Sequence, residues 1–146
     1  MKKSLIYLIP VLVALASGCL KTAENVPRVY PSGTYSGEFR RLHKRTNSAI
    51  IDTTKANINI VFEPGVGYKV LGDTLTVHAG SKGHYGFATN ANYVAFDDDT
   101  YPKTGTPAKT HLSGTYQYYF DGSSVLQMVA NSLDTLSLQY DLKKVN

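Results

Sequence analysis

From Ser32 to the C-terminus, apolar residues recur at every second position in short runs, and Gly, Asn, Asp and Pro punctuate them. No window keeps a helical apolar period for three turns, so the pattern predicts strands joined by turns. Thr34–Leu42 sets Tyr35 and Phe39 on one face. Thr54–Phe62 sets Ile58, Ile60 and Phe62 on one face, with Asn57 and Asn59 opposite. A turn at 63–67 leads to Tyr68–Leu71, and Leu75–Ala79 alternates Leu75, Val77 and Ala79. Tyr85 and Phe87 alternate next, followed by Tyr93–Phe96 and a long polar loop. Leu112–Phe120 alternates Leu112, Gly114, Tyr116, Tyr118 and Phe120. Val125–Ala130 precedes Leu133–Lys143, where Leu136, Leu138, Tyr140 and Leu142 keep period two.

About nine runs result, most joined by links of hairpin length, so neighbours pair antiparallel. One apolar and one polar face, repeated along the chain, predicts an all-β fold: an antiparallel up-and-down barrel of eight or nine strands. A two-sheet sandwich is the alternative. Closure of the last strand onto the first would hide both edges.

Register decides what faces the interior. Asp121-Gly122 is a two-residue hairpin signal, and Asn131-Ser132 a second. Two-residue loops at both points set Val125 opposite Tyr118 and place Gln127 between Tyr116 and Leu136, facing inward. Three-residue loops would turn Leu126 and Met128 inward instead. The positive φ that Asp-Gly supplies to a type I′ turn favours the first register. Tyr35, Tyr116, Tyr118, Gln127 and Tyr140 are then the candidate cavity-lining residues. A buried Tyr or Gln needs a hydrogen-bond partner or a wet cavity. The competing expectation is a packed core whose tyrosine hydroxyls reach the rim.

The first twenty residues follow a different rule. Lys2 and Lys3 precede an apolar stretch from Leu5 to Ala16, broken at Pro10, and Ala16, Ser17 and Gly18 lead to Cys19, the only cysteine. This is the three-part layout of a secretory signal. With its cysteine it resembles the lipobox of bacterial lipoproteins, although Ala16 stands where Leu is more usual. The resemblance implies a diacylglyceryl group on Cys19 and cleavage before it. Leu20, not Asp, follows the cysteine, which implies anchoring in the outer membrane, facing periplasm or surface. An uncleaved anchor and a plain signal peptide are the alternatives. On this reading 1–18 is a signal peptide, 19–31 a lipidated tether and 32–146 the barrel domain.

Removal of Lys2 and Lys3 leaves 13 Lys and Arg against 11 Asp and Glu, so charge gives no reason to expect nucleic acid. A mature chain of this length suits one monomeric domain that buries roughly two-thirds of its unfolded surface. With Cys19 acylated, no disulfide is available and the core must supply the stability.

Gly33-x-Tyr35-x-Gly37 in the first strand, with a terminal hairpin of Tyr-rich strands, resembles small lipocalin-like envelope lipoproteins. Tyr35 stands where that family's first motif carries Trp. The resemblance implies a lipid-anchored barrel and carries over no ligand residues.

Other clusters have plain readings. Arg40, Arg41, His43, Lys44 and Arg45 would meet anionic headgroups or sit as a solvated hairpin tip. Asp97, Asp98 and Asp99 lack the alternate spacing of a calcium loop. His78 and His84 flank Gly80-Ser81-Lys82-Gly83 and form at most a two-ligand pair. No G-x-S-x-G, H-E-x-x-H or P-loop is present, and Gly65-Val66-Gly67 reads as a turn. The expectation is a non-enzyme without cofactor or metal. It would be a lipid-anchored cell-envelope binding protein for a small apolar ligand or an envelope component. A structural or inhibitor-like interaction module on a solid β-scaffold is the alternative.

Overall fold

The computed structural model describes residues 27–132 and 135–145. Eight strands form a closed antiparallel barrel in simple chain order. They are β1 (Gly33–Lys44), β2 (Ile51–Glu63), β3 (Gly67–Gly72), β4 (Lys82–Phe87), β5 (Tyr93–Asp98), β6 (Gly114–Phe120), β7 (Val125–Ser132) and β8 (Leu136–Lys144). β8 returns to β1 from Tyr35↔Lys144 to His43↔Leu136, which leaves neither terminal strand with a bare edge. The barrel forms and the sandwich does not. The N-terminal segment, the β2–β3, β4–β5 and β6–β7 turns and the C-terminus share one end, called lower here. The β1–β2, β3–β4 and β5–β6 connections share the upper end.

Period two explains the interior. Tyr35, Phe39, Ile58, Ile60, Phe62, Val94, Tyr116, Leu126, Tyr140 and Leu142 are all fully buried, and each occupies an inward position of its strand. Their rings interlock: Phe39 lies 4.9 Å from Tyr140, Tyr68 4.9 Å from Phe96 and Tyr116 5.5 Å from Tyr140. Such tilted and edge-on contacts add to the area they bury. Side chains from all eight strands fill the barrel axis.

Leu75–Ala79 is not a strand. The chain leaves the sheet at Gly72, whose φ of 95° suits glycine, and Asp73 N–H donates to the Asn57 carbonyl (2.9 Å). Residues 73–81 then cross the upper end. They meet the β5–β6 connection through Ala79 N–H to Thr110 O (2.8 Å) and Thr110 N–H to Val77 O (2.9 Å). The alternation there marks Val77 and Ala79 facing the core, while Leu75 is 83% exposed.

The β6–β7 register also differs from expectation. Phe120 pairs with Leu126 and Tyr118 with Met128, so Leu126 and Met128 point inward and Gln127 points outward. Gln127 is exposed and donates to Asp141 Oδ1 (3.3 Å). Asp121 is the cause. Its Oδ1 accepts the backbone N–H groups of Ser123 (2.8 Å), Ser124 (2.8 Å) and Val125 (3.0 Å). That wraps a four-residue connection around one carboxylate, with Gly122 at φ 87°. The hydrogen bonds from Ser123 and Val125 bring the Asp121 carboxyl down to about 2.

Candidate functional site

The predicted cavity-lining tyrosines do converge, but in a packed interior. Tyr35 sits edge-on to Phe62 (5.9 Å) and Phe120 (6.3 Å), and Tyr118 to Phe87 (5.0 Å). The hydroxyls of Tyr35 and Tyr116 have no hydrogen-bond partner among the described residues. Gln127, on the outer face, is not part of this group. Cys19 lies outside the described residues.

The pleat divides the basic run. Arg40 and Lys44 occupy outward positions, while Arg41 and His43 occupy the alternate ones. Arg40 meets Glu38 (3.6 Å) and Asp141 (3.7 Å), and Arg45 pairs with Asp52 (2.7 Å). The three aspartates also separate. Asp97 and Asp99 are exposed, whereas Asp98 is buried. Asp98 accepts Thr100 N–H (2.8 Å) and His111 Nδ1–H (2.8 Å). Burial pushes the Asp98 carboxyl up, but hydrogen bonds from Thr100, Ser81 and His111 outweigh it and hold the carboxyl below its usual range. Asp98 thus ties β5 to the upper connections.

His78 and His84 do not meet. His78 is fully buried under the upper end, and His84 is exposed on β4. Among the described residues no three His, Cys, Asp or Glu side chains converge as metal ligands.

The lower mouth holds the better site, and a break in strand pairing builds it. β3 and β4 pair only through Tyr68↔Gly83 and Lys69↔Lys82. Below Gly83 only Gly67 of β3 remains before the β2–β3 turn, so β4 runs on to Phe87 with no paired strand on that side. The Ser81 carbonyl turns toward β3, where it accepts Val70 N–H (2.7 Å). The Lys82 carbonyl turns toward β5, where it accepts Asp99 N–H (3.0 Å). Alternation along the ladder then turns the backbone polar groups of Tyr85 and Phe87 into the gap.

The gap opens into a cleft of about 660 Å³. Its walls are Tyr85 and Phe87 from β4, Pro64 to Gly67 from the β2–β3 turn, His84 and Thr89, and Tyr30 to Ser32 from the N-terminal segment. Tyr30 stacks on Phe87 at 5.1 Å with the rings 21° from parallel. Arg28 holds that segment in place by donating to the carbonyls of Ala88 (3.2 Å), Thr89 (3.3 Å) and Ala91 (2.9 Å) and to Asn92 Oδ1 (2.7 Å). Residues 28–31, expected within the tether, are therefore packed on the barrel. Val66, at the tip of the β2–β3 turn, is 67% exposed beside the opening.

Sequence reasoning missed this cleft. Tyr85 and Phe87 were legible as an inward pair, but the length of the β3–β4 ladder was not. The chain was compared with protein-family models, curated proteins and solved structures, and it matches none of them.

Proposed function

We propose that the protein is a lipid-anchored binding module of the bacterial cell envelope. It is held in the outer membrane through Cys19 and takes an apolar or aromatic group of its partner in the lower cleft. The observation that carries this reading is the overhang of β4 beyond the start of β3, which leaves aromatic rings beside backbone groups outside the β3–β4 ladder. A site of this kind, mostly apolar with a few polar groups that fix orientation, is what small-ligand and peptide recognition uses. The packed axis favours a solid scaffold with a binding rim over a calyx that swallows its ligand. The segment leading from the anchor forms one wall of the cleft, so the ligand would meet the barrel at its membrane-tethered end.

Two measurements test the proposal. The full chain should fractionate with membranes through a high-salt wash, and Cys19→Ser should release it, because acyl chains contribute ~0.8 kcal/mol per buried CH₂. A C19S variant that stays in the membrane pellet refutes the anchor. For the cleft, an environment-sensitive anilinonaphthalene dye should bind the full chain in detergent above its background. Val66→Asp and Phe87→Ser should weaken that binding at least about tenfold. Equal dye binding by both folded variants refutes the cleft.

A further inference from the structure

A second recess, of about 400 Å³, lies on the outer face across β6, β7, β8 and β1. The chain contains three glutamines, Gln117, Gln127 and Gln139, and all three line it. Cross-strand register brings them together. One row runs Gln117, Val129, Gln139, Arg40, and the row beside it runs Tyr119, Gln127, Asp141, Glu38. Strand spacing places the Cα atoms of the three glutamines within about 10 Å of one another. Tyr119 is 58% exposed and stands at the end of the second row as a free aromatic face.

The charge here is balanced. Arg40 lies against Glu38 and Asp141, and Lys55 Nζ lies 3.2 Å from Glu38 Oε2, so two cations face two carboxylates. The Nε–H of Arg40 is buried, with no hydrogen-bond partner among the described residues.

We propose that this recess binds a neutral saccharide. Each glutamine amide offers donors and an acceptor in one plane, and Asp141 adds acceptors. That combination suits vicinal hydroxyl groups, each of which both donates and accepts. The face of Tyr119 suits the C–H face of a sugar ring, since it is apolar yet compatible with water. The cancelled charge offers no surplus cation for a phosphate. This site is separate from the lower cleft and does not depend on it.

The glutamine count makes the test selective. Full chain labelled with ¹⁵N at glutamine, held in a zwitterionic detergent without a sugar headgroup, gives side-chain amide signals from these three residues. It is titrated with neutral gluco-, galacto-, manno- and N-acetylglucosamine oligosaccharides, and separately with inorganic phosphate. The proposal expects saturable shifts of the glutamine signals with at least one oligosaccharide. Tyr119→Ala should weaken binding about tenfold or more, and Tyr119→Phe should retain it. The absence of a saturable shift with every oligosaccharide overturns the proposal. So do equal shifts with phosphate alone, and binding unchanged in folded Tyr119→Ala and Gln139→Ala.

Discussion

His78 and Tyr140, 62 residues apart, share a 2.9 Å hydrogen bond inside the barrel. The other ring nitrogen of His78, Nδ1, lies 2.6 Å from the Ala79 carbonyl oxygen, which can only accept. Nδ1 therefore carries the proton, and Nε2 accepts from the Tyr140 hydroxyl. The ring also packs edge-on against Phe39 at 4.8 Å. One neutral histidine thus satisfies a buried tyrosine and a carbonyl while closing the upper end.

This arrangement makes stability depend on pH. Burial brings the His78 imidazole down to about 4; the Ala79 carbonyl and Asp98 oppose that shift, and His111 adds to it. Between the ordinary imidazole value near 6.5 and about 4, the unfolded chain takes up a proton that the folded chain refuses. The contribution of neutral His78 is complete above pH 6.5 and is lost as pH falls to about 4. The shift corresponds to ~3 kcal/mol. Denaturant unfolding at several pH values should show this slope. His78→Asn should lower stability at pH 7 and flatten the slope, and an unchanged slope refutes the assignment.

The observed register separates two neighbouring residues. Met128 is buried in the core, so Met128→Ala should cost ~3 kcal/mol through lost contacts and a residual cavity. Gln127 is exposed, so Gln127→Ala should change stability by less than ~0.5 kcal/mol. Equilibrium unfolding of both variants measures the contrast, and the reverse order would mean the register is wrong.

Two glycines within strands should respond in opposite ways to alanine. A Cβ on Gly37 would collide with the backbone of Asp141 on β8, whereas a Cβ on Gly86 meets nothing within 4 Å. Gly37→Ala should destabilise by ~3 kcal/mol or prevent barrel closure. Gly86→Ala should be near neutral, within ~0.5 kcal/mol. Thermal unfolding of the pair gives the answer.

Arg28 should govern the N-terminal wall of the lower cleft. Its guanidinium is exposed, so Arg28→Ala should cost only ~1 kcal/mol of global stability. Protection of residues 28–31 against hydrogen exchange should fall much further, because the four contacts that hold the segment to the β4–β5 turn end in this side chain. Unchanged protection would show that the Tyr30–Phe87 stack holds the segment alone.

The sequence by itself determined the class of fold and the inward set. Side-chain direction alternates along any strand, so Tyr35, Phe39, Ile58, Ile60, Phe62, Tyr116, Tyr118 and Tyr140 could be assigned to one face without knowledge of their neighbours. Tertiary structure decided everything that depends on how strands slide past one another. Asp121 collects three backbone N–H groups, shifts β7 against β6 and turns Gln127 out of the core. Gly72 takes residues 73–81 off the sheet and makes a buried hydrogen-bonding residue of His78. The short β3–β4 ladder opens the lower cleft, and the β6–β7–β8–β1 register gathers three glutamines distant in sequence. Local periodicity carries no information about these features, because it sets neither the length of a connection nor which residues of neighbouring strands stand opposite one another, and an odd change of register turns a strand's side chains to the other face.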